Sequence, residues 1–259
     1  VAHPARRYNY WLGGKDNFQA DRDSGDAIAA VYPPVRAAAR ENRHFLQRVV
    51  RWLTAEAGVR QFLDIGTGIP TADNTHEVAQ RIDPSCRVVY VDNDPIVLAH
   101  ARALLTSTPQ GATAFIDADL RDPERILSHP DLLRTLDLTR PVALMLVAIL
   151  HFLTEQDDPY AIVARLLEAL PSGSYVCVSN LTADFMGQGR ADRAVEFAAR
   201  GEHGTLVFRD RQEFARFFAG LDLVDPGVRP VADWRPEIPP GPYDPAAPAT
   251  MYGAVARLP

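Results

Sequence analysis

Cysteine is scarce: Cys86 and Cys177 are the only two in 259 residues, and both sit beside or within apolar segments. Two isolated thiols cannot build a dense disulfide framework or a cysteine metal site, so the reducing cytoplasm is the expected compartment. No apolar stretch approaches the roughly 18 residues a membrane-spanning helix needs, and the first residues lack the apolar core of a signal peptide. A soluble chain with no membrane partner is therefore expected. Dense Lys/Arg runs are missing as well, and the formal net charge is -6. That balance speaks against a sequence-independent grip on nucleic-acid phosphates. His44, His76, His100, His129 and His203 lack metal-ligand spacing, so no metal is expected. Nor is there an internal repeat.

Apolar residues make up 47% of the chain, enough for one sizeable core at this length. Arginine greatly outnumbers lysine and alanine is abundant, which reads as coding bias rather than function. The first forty residues show no clear amphipathic period but carry Tyr8, Tyr10, Trp11, Gly13, Gly14 and Phe18 at close spacing, which reads as an ordered loop. From Glu41 to Glu56, Phe45, Leu46, Val49, Val50 and Leu53 recur at helical spacing, and Gly58 is a plausible stop.

A regular alternation follows. Apolar runs at Gln61–Ile65, Arg87–Val91, Thr113–Ile116, Val142–Val147 and Tyr175–Val178 are separated by helical patterns such as Thr75–Ile82, Pro95–Leu105 and Gln156–Leu170. Near-continuous apolar strands separated by helices form a parallel sheet covered on both faces. Asp210 with Glu213 offers a capping box for a helix to about Ala219. Leu221–Val228 and Thr250–Leu258 then read as an antiparallel pair, joined by a proline-rich stretch from Pro236 to Pro248 expected on the surface. The expectation is an α/β, Rossmann-like fold whose seven-stranded, mostly parallel sheet has an antiparallel C-terminal strand and helices on both faces. Residues 1–58 would form an N-terminal lid and helical segment. Residues 59–259 would form the catalytic domain, with a cap insertion at about 180–207.

The segment Asp64-Ile65-Gly66-Thr67-Gly68 stands where the first strand should end and a helix begin. Its glycines permit a tight turn and a close approach of ligand to backbone. A GxG turn alone is an ordinary βα connection, so its neighbours decide. Asp92, followed by Asn93, ends the second strand at the crevice where open α/β sheets bind ligands, at the spacing expected of a ribose-diol acceptor. Asp94 fits helix capping better. Asp119 and Leu120 follow the third strand, where they suit the amino group and ring of an adenine, although Asp119 also reads as a cap before Pro123. Together these strand ends point to an adenosine ligand. A dinucleotide loop needs a third small residue and places a pyrophosphate on the helix N-terminus. Here Pro70 and Thr71 follow Gly68, and Asp64 would repel a pyrophosphate yet suit the ammonium of a methionine arm. The sign of that charge favours S-adenosylmethionine over NAD.

With these residues in view, the sequence resembles the S-adenosyl methyltransferase family of actinobacteria once described as a domain of unknown function. The likeness runs through nearly the whole chain, in Arg7-Tyr8-Asn9-Tyr10-Trp11-Leu12-Gly13-Gly14-Lys15-Asp16-Asn17-Phe18, in Arg40-Glu41-Asn42-Arg43, in the loop from Asp64 to Pro70, and in Tyr90-Val91-Asp92-Asn93-Asp94-Pro95. The GGKDNF segment is the most family-specific, and Trp11 stands where the family more often has leucine. The resemblance implies a class I methyltransferase fold and S-adenosylmethionine binding, with S-adenosylhomocysteine as product. It names no acceptor.

Methyl transfer from a sulfonium needs no metal, because the leaving group is a neutral thioether displaced in line. Positioning can supply roughly 7–11 kcal/mol of the barrier. The fourth strand leads through Ala148 to His151, which should lie beside the transferable methyl. His151 is thus the candidate general base for a hydroxyl or amine, against the plainer reading of a histidine packed under the loop. Tyr10 or Trp11 could face the sulfonium through a cation–π contact, with Gly13 and Gly14 giving room and Asn17 bonding the methionine end, or these aromatics could merely pin the N-terminus. Ala194, Val195 and Phe197 form an apolar stripe that reads as packing rather than pocket. The expected acceptor is a small molecule. The alternatives are a regulatory protein that binds S-adenosylmethionine without transfer and an NAD-dependent oxidoreductase. Release of S-adenosylhomocysteine separates the first of these, and the identity of co-purified ligand the second.

Overall fold

The apolar runs become strands because each can bury both of its faces. The computed structural model describes residues 1–71, 73–104, 106–236 and 250–259. Its parallel strands are β1 (Gln61–Ile65), β2 (Arg87–Asp92), β3 (Ala112–Asp117), β4 (Ala143–Val147) and β5 (Tyr175–Leu181). Along β4, Leu144 and Leu146 enter one core while Ala143, Met145 and Val147 enter the other, and β1, β2 and β5 alternate in the same way. This is the period-two side-chain pattern of a sheet with two covered faces. Each fully buried Leu, Val or Phe contributes about 1.5–3 kcal/mol. Cys86 and Cys177 are both free thiols within this core.

Three helices precede the sheet: α1 (Pro4–Trp11), α2 (Gln19–Val31) and α3 (Val35–Ala55). The ordered loop read from the first forty residues is therefore helical. The reason lies in what these helices bury: Arg6, Arg7 and Asn9 on α1 and Asp21 and Ser24 on α2 point inward, so no apolar period marks them. By contrast α3 buries Phe45, Val49, Val50 and Leu53 completely, and packs as part of the layer on one sheet face. The helices α4 (Thr75–Ile82), α5 (Pro95–Leu104), α6 (Pro123–Leu127), α7 (Pro130–Thr135) and α8 (Pro159–Glu168) fill the crossovers. Beyond β5 come α9 (Gln188–Ala199) and α10 (Arg211–Ala215). The capping box at α10 is present, with Glu213 N–H donating to Asp210 Oδ1 at 2.8 Å and Asp210 N–H donating to Glu213 Oε2 at 2.9 Å.

Three short or late strands complete the sheet: β6 (Asp222–Leu223), β7 (Arg229–Pro230) and β8 (Met251–Arg257). Their order is β3-β2-β1-β4-β5-β8-β6, with β7 also on β8. Since β8 pairs with β5 on one edge and with both β6 and β7 on the other, eight strands occupy seven positions. Only β8 runs against the rest. The single strand expected over 221–228 is split because Pro226 has no N–H for the ladder and Gly227, at φ +73°, turns the chain. From residue 237 onward the proline-rich stretch lies outside the described residues, as does Leu105, with which the expected helix from Pro95 was to end. No helix among the described residues is long and apolar enough to cross a membrane.

Trp234 closes the α3 face. It is fully buried, edge-on to Phe45 at 5.7 Å and to Trp52 at 6.2 Å between centroids. Trp234→Ala is expected to lower unfolding free energy by about 3–5 kcal/mol. A fall in the urea midpoint with unchanged slope would show it; an unchanged midpoint would remove Trp234 from the core account.

Candidate active site

The strand order reverses between β1 and β4, so crossovers leave in opposite directions and open a crevice at the C-terminal edge. A cavity of about 350 Å³ occupies it. Asp64, Ile65, Gly66, Thr67 and Gly68 from the first loop line this cavity, as do Asp92 and Asn93, Asp119 and Leu120, and Ala148 and His151. Four successive strand ends thus meet at one place.

The loop is built on its two glycines. Gly66 and Gly68 have φ of +79° and +68°, and a Cβ on Gly66 would lie 2.6 Å from Ile149 Cδ1. The Gly66 N–H donates to Val91 O at 2.8 Å, tying the turn to β2. Asp92 binds the same turn, with Oδ2 accepting from Gly68 N–H and Oδ1 from Asp94 N–H, both at 2.9 Å. Burial raises the Asp92 carboxyl above its ordinary value, while those N–H donors oppose the rise. Asp64 accepts the Thr75 hydroxyl at 2.6 Å. Complete burial pushes its carboxyl up to about 6, with Asp92 adding and Thr75 and Arg43 opposing.

Asp119 does not cap the following helix; Asp122 does, accepting from Arg125 N–H at 3.1 Å. Asp119 instead accepts from Asn93 Nδ2 at 2.8 Å and from Arg121 N–H at 2.9 Å, which joins the ends of β2 and β3. Asp94 caps as expected, accepting from Ile96 N–H at 2.9 Å. It is buried rather than solvated, because it also receives Arg6 Nη1 at 2.9 Å. Arg6 donates through Nε to Asp21 at 2.9 Å, so one guanidinium fastens α1 and α2 to the β2 end of the crevice.

Tyr10, Gly13, Gly14 and Asn17 are not brought to the cavity. The Tyr10 hydroxyl donates to Asp26 at 3.0 Å and its ring carries the Arg36 guanidinium at 4.6 Å, on the outer side of α1. Gly13 makes the left-handed turn that ends α1. Gly14 lies so close to Asn9 that a Cβ would sit 2.3 Å from Asn9 Nδ2. Asn17 Nδ2 donates to Asn9 Oδ1 at 3.0 Å and to Gly14 O at 2.9 Å. The GGKDNF segment joins α1 to α2 and packs on Asn9, while Tyr8 and Trp11 of α1 line the cavity. Of the α9 stripe, Ala194 and Phe197 line the cavity and Val195 is exposed, so packing is not its whole role.

His151 is buried, with Nδ1 bonded to nothing among the described residues. Desolvation, then the charges of Arg209 and Arg7, push it down to about 3, so the imidazole is neutral at physiological pH. Arg209 holds the turn beneath it, donating to Leu150 O at 2.9 Å, Leu153 O at 3.0 Å and Asn180 Oδ1 at 3.0 Å.

Sequence reasoning missed Asn42 and Arg43 as site residues. A signal existed, since Asn42 lies three and four residues before Phe45 and Leu46 on the buried face of α3, where a polar group requires partners. Asn42 supplies a chain of bonds. Ala148 N–H donates to Ser179 Oγ at 2.9 Å, Ser179 Oγ donates to Asn42 Oδ1 at 2.6 Å, and Asn42 Nδ2 donates to the Tyr8 oxygen at 3.0 Å. That chain holds Ala148 at φ +57°, a strained conformation for a residue with a Cβ, at the rim of the cavity. Nothing in the sequence marked Arg6. Among the described residues no cluster of three or more His, Cys, Asp or Glu is arranged to hold a metal.

The description of one family, S-adenosyl methyltransferase, matches residues 1–259. The chain belongs to that family. A DUF574 family protein from Streptomyces avermitilis MA-4680 is 51% identical, with a TM-score of 0.93 over 100% of this chain and 98% of its own. A candidate methyltransferase from Thermobifida fusca YX is 42% identical, with a TM-score of 0.89 over 99% of this chain and 95% of its own. A SAM-dependent methyltransferase from Anabaena variabilis ATCC 29413, 16% identical, shares the fold at a TM-score of 0.51, covering 82% of this chain and 83% of its own. No curated protein matches. The fold is therefore the Rossmann-like fold of class I methyltransferases.

Because the folded state holds the Asp64 proton to about 6 while an unfolded aspartate releases it near 3.9, stability falls as pH rises through that window. Asp64→Asn is expected to match the parent protein at pH 4 and to exceed it by about 1–3 kcal/mol at pH 7.5. Urea unfolding at the two pH values measures this, and an equal difference at both would place the cost elsewhere.

Proposed function

We propose that this chain binds S-adenosylmethionine in the β1–β4 crevice and transfers its methyl group to a small molecule admitted beneath α9. The observation that carries the reading is the convergence of Asp64, Asp92 and the Gly66–Gly68 bend on one cavity. When bound, the cofactor supplies a methyl group on a sulfonium whose departure leaves a neutral thioether.

The residues present fit that group. Around Gly68 there is open space where a Cβ would stand, so a ligand can reach the backbone. Each Asp92 oxygen already accepts one backbone N–H and retains a lone pair for a ribose hydroxyl. Asp64 offers the negative charge that an amino-acid ammonium requires, and Arg43 lies in the same cavity with the sign that suits the carboxylate of that arm. Ile65 and Leu120 give apolar walls, while Asn93 and Asp119 stand at the edge for the polar rim of a base. The α1–α2 pair, fastened by Arg6, serves as the lid that keeps water out.

Acceptor activation rests on orientation more than on proton abstraction. A neutral His151 with its pKa near 3 accepts a hydrogen bond but is a weak base toward an ordinary alcohol. The small-molecule reading is supported by the enclosure of the acceptor end by Ala194, Phe197 and Leu206, and by the net charge of -6, which opposes a nucleic-acid acceptor.

Asp92→Ala is expected to weaken S-adenosylmethionine binding at least about tenfold, or about 1.4 kcal/mol, by calorimetry. Unchanged affinity would remove Asp92 from the site. Near pH 6, binding of the ammonium should favour ionised Asp64 and release part of a proton. The calorimetric enthalpy would then vary with the ionisation enthalpy of the buffer, a dependence that Asp64→Asn should abolish. Release of S-adenosylhomocysteine with candidate acceptors tests transfer itself, and steady failure by a saturated, folded protein would favour a binding protein.

A further inference from the structure

One cation in the cavity has no ion-pair partner among the described residues. Arg7 is only 3% exposed and lines the cavity, yet among the described residues its one side-chain hydrogen bond is long, Nη1 to Ser24 Oγ at 3.3 Å. Its Nε has no partner, and it forms no ion pair among the described residues. The acid whose charge acts on it is already engaged: Asp21 accepts from Arg6 Nε, Phe18 N–H and His3 N–H, at 2.8–2.9 Å. Arginine does not shed its proton to escape such a place, because even lowered by burial to about 10 it stays charged at neutral pH. A buried, unpaired guanidinium costs stability, and strain of that kind is retained where a ligand removes it.

The position of Arg7 separates it from the proposed cofactor contacts. Its charge acts on His151, whereas the cation acting on Asp64 is Arg43. Ser24 Oγ, its neighbour, is 2.9 Å from His203 Nδ1, and His203 stacks on Phe197 at 5.0 Å, so Arg7 borders the segment that returns from α9. The apolar side chains of Phe197 and Phe208 line the same cavity as Arg7.

We infer that Arg7 is the seat of a carboxylate on the methyl acceptor, and that the acceptor class is an apolar or aromatic monocarboxylate. This rests on the proposed reading of the crevice. A guanidinium fork matches a carboxylate in two parallel bonds, and a single unpaired cation balances a monoanion.

Benzoate and its neutral counterpart benzamide are suitable probes, titrated by calorimetry into protein saturated with S-adenosylhomocysteine. Benzoate is expected to bind at least about tenfold tighter than benzamide, and Arg7→Met to lose that preference while keeping its S-adenosylhomocysteine affinity within about twofold. Arg7→Lys should retain part of the preference, because it keeps the charge without the fork. Arg7→Met should also melt no lower than the parent protein, since it removes an uncompensated charge. If it fails to fold, Arg7→Gln gives the same comparison. Equal binding of benzoate and benzamide, or a preference that survives in Arg7→Met, overturns the inference. So does displacement of S-adenosylhomocysteine by benzoate together with loss of that nucleoside's affinity in Arg7→Met, because the carboxylate partner is then the cofactor's own. Failure of the parent protein to bind S-adenosylhomocysteine at all would defeat the proposed cofactor instead, and the probe preference would remain readable on the unloaded protein.

Discussion

Two aspartates, Asp64 and Asp92, stand on adjacent strand ends in a single cavity, each less than a tenth exposed; burial raises the pKa of both, and Asp92 adds to the rise at Asp64. An arrangement that removes two like charges from water opposes folding unless something offsets it. Backbone N–H groups of the glycine turn and of Asp94 offset part of it at Asp92, and the Thr75 hydroxyl does so at Asp64. The remainder is available to a ligand with hydroxyls and an ammonium. Arg43 adds a positive charge that opposes the rise at Asp64, while Ile149 leaves room only for glycine at position 66.

The N-terminal helices are organised by a second set of buried charges. Arg6 bridges Asp21 and Asp94, and in doing so joins α1 and α2 to the β2 end of the crevice. Arg7, one residue on, turns into the cavity without such a bridge. Consecutive arginines therefore differ in role: one ties α1 and α2 to the sheet edge, and the other lines the cavity as a positive charge. Burial first, and then the charges of Arg209 and Arg7, hold the His151 imidazole neutral.

Much of the fold was legible because its signals are local. The helix at Thr75–Ile82 and the strand at Gln61–Ile65 were read to the residue, and the α10 capping box was read from Asp210 and Glu213 alone. The glycine turn, Asp64, Asp92, Asn93, Asp119, Leu120 and Ala148 could be expected at the crevice because strand ends in a parallel sheet share one edge. Tyr10, Gly13, Gly14 and Asn17 were drawn toward the cavity by their family-specific spacing, but spacing does not say which side of a helix faces the ligand. Tyr8 and Trp11, on the inward side of the same helix, line the cavity instead.

From the amino-acid order alone came the alternation of strand and helix, the parallel sheet and the sign of the charge at the first turn, because hydrophobic periodicity and glycine placement act over a few residues. Only tertiary packing decided that polar faces would be the buried faces of α1 and α2, that Asn42 would link three elements, and that Arg7 would be enclosed with no ion pair among the described residues. Those outcomes depend on which distant groups meet, since a buried charge is stable or costly according to neighbours that lie far away along the chain.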